Sequence, residues 1–278
     1  MTNLASACVR SFLVLFTWLT VVPALAHASD EPPSTLTLDR MDSATRVGVQ
    51  IGFDKLDSAS LSDVFVMRFN PYGQYVLPNH MVGIYGQLPV AHVFNFNGAD
   101  ATGMGNLDLG AFLLPFHTSE LILRAGVALG TATDSRDGRI ANYDSAFERL
   151  TDFMLVAPNY TTLRLSASTV QQSGMAFLRI DGGLELALDK PSTGNSTFVR
   201  GNIAGGLRTA AVDLSVELVT TGTLDGNGDV SSRFVHTLSA GFRSQGPDQV
   251  YGGFVLPLDE GIRGEIWIIT FGYQHVMN

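Results

Sequence analysis

Seven arginines and seven carboxylates stand at alternate positions of otherwise apolar segments. Arg124, Arg164, Arg179, Arg200, Arg208, Arg233 and Arg243 share a parity with Asp108, Glu120, Asp181, Glu185, Asp213, Glu217 and Glu265. In a confined space, charges repeated in this way have two uses. They line a path whose selectivity comes from rings of charge, or they pair as a salt-bridge network that fills and stiffens the interior. Both can hold in one molecule. Arginine suits either use, because guanidinium stays ionised and pairs in a fork geometry. Of the 17 basic residues only Lys55 and Lys190 are lysines. The candidate lining residues are Arg124, Arg164, Arg179, Asp181, Glu185, Arg200, Arg208, Asp213, Glu217, Arg233 and Arg243.

Strands must position these charges. Over residues 176–189, Leu178, Ile180, Leu184, Leu186 and Leu188 fall on one parity, and Arg179, Asp181, Glu185 and Asp189 on the other. Successive side chains of a strand point to opposite faces, so one face is aliphatic and the other charged. The run is long enough to cross a bilayer at a tilt. Twelve such segments follow one another, near 46–54, 63–72, 81–94, 107–113, 121–130, 163–170, 176–189, 198–208, 212–218, 233–243, 251–258 and 264–276. Pro89 interrupts the third and suggests a bulge or strand end.

Short joints near residues 77–80, 117–119, 172–174, 209–210 and 246–248 alternate with longer ones at 55–62, 97–106, 134–158, 190–197 and 224–232. Short turns at one rim and long loops at the other are what an up-and-down outer-membrane barrel requires. An even strand count puts both termini at the short-turn rim. The longest connection, 134–158, has room for one or two helical turns around 144–154 and for a lid over the lumen. A soluble sandwich, the other home for alternating strands, needs only about 5–6 residues per strand, and several segments here are longer.

The first residues set the compartment. Arg10 is followed by the apolar run 11–22, then Pro23 and the small-residue stretch Ala24-Leu25-Ala26-His27-Ala28. This pattern predicts a cleaved signal peptide over 1–28, a flexible periplasmic leader over 29–43 and a barrel over 44–278. No later apolar stretch has the length of a membrane helix, so lipid can be crossed only by a closed sheet. Cleavage removes Cys8, the one cysteine, which excludes disulfides, thiol catalysis and cysteine-ligated metal. A formal charge of −9 argues against nucleic acid as a partner.

Two further constellations bear on chemistry. Asp225-Gly226-Asn227-Gly228-Asp229 spaces three oxygen ligands like a calcium loop, but Val230 stands where the loop needs glycine and His236 where it needs a bidentate Glu. Asn-Gly and Asp-Gly also mark ordinary turns. His236 lies on the apolar parity of its segment beside Phe234, with Ser231 and Ser232 close in sequence. Some twelve-stranded outer-membrane barrels are lipid hydrolases with a serine and a histidine on the outward face near the outer rim, so His236 marks the alternative, a lipid-modifying enzyme. A rim histidine at the headgroup level accounts for the same position without catalysis. No cofactor is implied.

Gly103-Met104-Gly105-Asn106-Leu107-Asp108-Leu109-Gly110-Ala111, followed after a turn by Leu129-Gly130-Thr131-Ala132-Thr133, resembles a recurring stretch of an outer-membrane barrel family associated with operons for meta-pathway degradation of phenol and related aromatics. There the pattern is roughly G-x-G-D-L-x-L-G-A, a strand pair, then L-P-T-G. This chain has Asn106 where Asp is usual, and Ala132 leaves the second motif without its proline. The closing segment, with Trp267, Ile269, Phe271 and Tyr273 on one parity, resembles the assembly signal of bacterial outer-membrane proteins, although the chain runs on to Asn278. The resemblance implies a barrel passing small, often hydrophobic solutes.

The expectation is therefore an all-β, antiparallel, up-and-down transmembrane β-barrel of about twelve strands in the outer membrane of a Gram-negative bacterium. Its expected role is a narrow channel for small, possibly hydrophobic solutes; the alternatives are a lipid hydrolase and a closed structural or adhesive barrel. Expected partners are outer-membrane lipid and lipopolysaccharide, the barrel-assembly machinery and a small solute.

Overall fold

The computed structural model describes residues 42–56, 64–96, 99–117, 120–188, 197–225, 233–260, 263 and 265–277. The expected signal peptide and residues 29–41 of the leader lie outside them. Fourteen strands run in chain order: β1 (Thr45–Leu56), β2 (Val64–Val76), β3 (Val82–Gln87), β4 (Val90–Phe96), β5 (Ala99–Met104), β6 (Leu107–Leu113), β7 (Leu121–Leu129), β8 (Thr162–Ser173), β9 (Ala176–Ala187), β10 (Thr197–Arg208), β11 (Val212–Thr223), β12 (Phe234–Ser244), β13 (Asp248–Pro257) and β14 (Ile266–Met277).

β1 pairs antiparallel with both β2 and β14, the latter from Thr45↔Met277 to Leu56↔Ile266. The sheet is therefore closed, which removes its edges. Twelve staves form the wall, because two of them are each broken in two. β3 and β4 both pair with β2, at Tyr72–Val76 and Phe65–Phe69 respectively. The break falls at Leu88-Pro89, since proline has no N–H to give the ladder. The partner stave breaks at Gly105-Asn106, where Gly105 N donates to Pro89 O instead of continuing the ladder.

The expected loop at 97–106 is thus largely strand. Ala99–Met104 pairs with β4. Its inward residues, Ala101 and Gly103, are too small to give the aliphatic parity that betrays a strand in sequence.

Several strands have twelve residues; at about 3.3 Å each and a tilt near 40° they rise roughly 30 Å, a bilayer's hydrocarbon thickness. Burial follows the period of two but is inverted relative to a water-soluble protein. Leu178 is 42% exposed and its neighbour Arg179 is 2% exposed. Arg46, Arg68 and Arg164 are among the largest fully buried side chains, while Phe69, Leu214, Trp267 and Phe271 face outward. Charges inside and large apolar side chains outside identify the wall as a transmembrane one. No helix among the described residues is long and apolar enough to cross a membrane.

Inward aromatic rings fit where another strand carries glycine. The Phe112 ring occupies the space a side chain at Gly83 would take, and Tyr85 does the same at Gly126. With Val76, Leu114 and Ile122 these rings close one side of the short-turn end.

Candidate functional site

The connection between β7 and β8 does not stay at the rim. It folds into the barrel as α1 (Arg136–Asp144), a 3-10 segment (Ser145–Asp152) and a single turn, α2 (Phe153–Val156). The helical content exceeds the one or two turns expected from sequence, and the segment is an internal plug where a lid over the lumen was expected. Ser135 caps α1 by accepting from Gly138 N. Non-helical backbone at Arg149 kinks the 3-10 stretch.

One buried amide holds both feet of the plug. Asn106, in the break between β5 and β6, is fully buried. Its Oδ1 accepts from Ala132 N at 2.8 Å, on the way in. Its Nδ2 donates to Met154 O at 2.9 Å and Ala157 O at 2.7 Å, on the way out. Its backbone N donates to Leu155 O as well. Asn142 Nδ2 adds a bond to Met104 O, and Gly103 and Gly105 leave the wall bare where α1 and Leu155 approach.

Beyond the feet, plug charges meet wall charges. Asp152 accepts from Arg68 at 3.0 Å and from Arg149 at 3.1 Å, and lies 3.6 Å from Arg164. Arg164 also reaches Asp108 at 2.5 Å, Glu185 at 2.8 Å and Thr151 O at 2.9 Å. Arg124 shares Asp108 at 2.6 Å and lies over the Tyr85 ring. Glu148 accepts from Gln50 at 2.8 Å, with Arg68 at 3.9 Å. Buried charges persist only when paired and hydrogen-bonded, and this belt meets that condition across the lumen. Among the described residues eight arginines and nine carboxylates are buried, so the interior is not lined by charge of one sign. Asp144, at the end of α1, is pushed up to about 6 by burial.

Toward the long-loop rim the lumen turns apolar. Val64, Val66, Ala91, Val93, Ala101, Tyr251, Val255, Ile266 and Ile268 form one buried cluster with Ala141 of α1, and Phe147 packs against it. Phe147 also touches a second cluster of Leu150, Ala204 and Val219. The plug is thus amphipathic, its apolar side facing the apolar half of the wall and its charges the belt.

The candidate lining residues fall into groups. Arg124, Arg164, Glu185 and Arg200 join the belt, Arg200 through Thr151 O at 3.4 Å and Glu185 at 4.0 Å. Arg179 and Asp181 pair with each other at 3.0 Å. Arg208 and Arg243 share Asp213 near the short-turn rim, at 3.3 and 3.0 Å. Glu217 is buried on β11. Arg233 sits at the long-loop rim, just before β12, and donates to Leu224 O. Two further charges lie elsewhere than their expected lumen positions. Glu265 is exposed at the rim on the outward parity of Trp267, and Glu120 lies in a turn, where its carbonyl accepts from Val170 N. Sequence reasoning missed Asn106, Glu148, Arg149 and Asp152, whose segment has no strand parity to mark an inward face.

His236 pairs with Asp259, its Nδ1 lying 3.0 Å from Oδ1 while its backbone N donates to Oδ2 at 2.7 Å. That supplies a base and an orienting carboxylate at the long-loop rim. Ser231 and Ser232 lie outside the described residues, as does most of the calcium-like loop.

No protein-family model and no curated protein matches the chain. Solved structures do. The chain is similar to the COG4313 outer membrane channel from Pseudomonas putida F1, with a TM-score of 0.58 and 15% identity over 91% of this chain and 100% of that one. It is similar to the translocator domain of the autotransporter NalP from Neisseria meningitidis, with a TM-score of 0.50 and 8% identity over 84% and 88% of the two chains. The CymD monoaromatic hydrocarbon channel gives a TM-score of 0.49 at 10% identity over 86% and 90%. At such identities the likeness is one of fold, the outer-membrane barrel. A fold shared by a channel and a translocator leaves function to be argued from this chain's own lumen.

Proposed function

We propose that the chain is an outer-membrane channel for small, weakly polar or apolar solutes, closed at rest by its own β7–β8 connection. The observation that carries this reading is the way the lumen is obstructed. In a purely structural barrel, wall side chains can fill the interior. Here the long-loop half of the wall points small residues inward, such as Ala91, Ala101 and Gly103, and the plug takes the space they leave. That space is apolar, which sets the class of solute that fits when the plug moves. The charge-balanced belt below it favours neither sign of ion. The fold shared with the COG4313 channel supports the reading, as does the resemblance of residues 103–111 to the aromatic-degradation barrel family.

In this reading the short turns and both termini face the periplasm, as in known barrels, and the apolar vestibule opens outward beneath the lipopolysaccharide. Lipid, lipopolysaccharide and the barrel-assembly machinery are the partners such a location implies. Planar-bilayer recording and liposome swelling test the proposal on the intact protein and on a variant lacking 136–156. Conductance is expected to be small in the first and larger in the second. A neutral aromatic alcohol should enter liposomes faster than a carboxylate of the same size. Silence from both proteins would refute the channel.

The second reading, a lipid hydrolase, has the His236–Asp259 pair in its favour. It requires fatty-acid release from labelled phospholipid that is lost in His236→Ala.

A further inference from the structure

Glu148 is a plug residue that reaches β1, and it does so at a shaped place. Its carboxyl lies directly over Gly52, where any Cβ would overlap it. Gln50, the inward residue before Gly52, supplies the donor to Oε1. Two successive inward positions of one strand therefore offer a donor and a gap. The feet of the plug are pinned elsewhere, by Asn106, so contacts at this distance from the feet decide whether the arm between them lies down.

We propose that Gln50 and Gly52 form the latch that positions Glu148 and sets how firmly the plug is shut; this rests on the channel reading above. Gly52 gives the depth that lets the carboxyl reach Gln50.

The test compares Gly52→Ala, Gln50→Leu and Gly201→Ala with the wild type and with the protein lacking 136–156. Opening frequency is recorded in planar bilayers and backbone hydrogen exchange is measured over 145–152; heat-modifiable migration verifies that each barrel is folded. Gly52→Ala displaces Glu148 from a charge-assisted hydrogen bond and should raise opening and exchange by roughly tenfold or more. Gln50→Leu removes the donor to Glu148 and should raise both as well. Gly201→Ala, where an added Cβ meets nothing within 4 Å, should change neither. Wild-type opening and exchange in Gly52→Ala overturn the latch, as they do in Gln50→Leu. If the plug-deleted barrel does not conduct while exchange rises in both latch variants, the latch stands and the channel reading fails.

Discussion

Asn106→Asp changes one atom group in a fully buried position and should release the plug while leaving the barrel folded. The amide makes three bonds that matter. Oδ1 accepts from Ala132 N, and Nδ2 donates to the carbonyls of Met154 and Ala157. A carboxylate keeps the first and cannot make the other two, a loss of about 0.5–1.5 kcal/mol each. It also turns a negative oxygen toward two carbonyl oxygens that have lost their donor, at roughly 1–3 kcal/mol for the unsatisfied groups. Together these come to roughly 2–6 kcal/mol against docking, at least a tenfold shift toward the undocked plug. None of the lost bonds belongs to a strand ladder, so heat-modifiable migration should be retained. Trypsin should cut sooner at the exposed Arg136 and Arg139, and conductance should rise. Acid gives an internal control when variant and wild type are recorded side by side, because protonated Asp regains one donor and should narrow the difference in conductance between them. Wild-type protease resistance and conductance in Asn106→Asp at neutral pH would refute the assignment of Asn106 as the clamp.

Removing Arg164 leaves Asp108 and Glu185 buried without their main partner. Arg164→Ala should therefore lose roughly 3–5 kcal/mol in urea unfolding from detergent, the cost of breaking a buried pair, and a loss under 1 kcal/mol would contradict the belt. Leu178→Arg places a charge on the lipid face and should cost roughly 2–4 kcal/mol if it lies at mid-depth; a neutral outcome in the same unfolding assay would count against the inside–outside assignment of β9. Asp144, pushed up to about 6 in the docked plug, binds its proton more tightly there than a free carboxyl near 3.9. Docking is then strengthened as pH falls through 6 toward 4 and weakened as pH rises through 6. Wild-type conductance should be lower at pH 5 than at pH 7.5, with a smaller difference in Asp144→Asn; identical pH profiles would show that Asp144 plays no part.

The wall was legible in the sequence because a strand's inside–outside alternation is local and has a period of two. Leu178 and Arg179 face opposite ways whatever their partners, and the alternation of short and long joints then closes the sheet. Pro89 announced the break in the third stave by its missing N–H. The strand at 99–104 was hidden, since Ala101 and Gly103 carry no hydrophobic signal and matter for the room they leave.

The sequence by itself thus determined that charges line the interior and that the interior is closed off from lipid. It did not determine which charges meet. Arg68 and Asp152, or Gln50 and Glu148, are far apart in the chain and come together across the barrel only because the β7–β8 connection turns inward. That turn depends on space left by small wall residues and on one asparagine able to accept and donate at once. Both are properties of three-dimensional packing, with no periodicity along the chain to announce them, and they decide that this barrel is plugged.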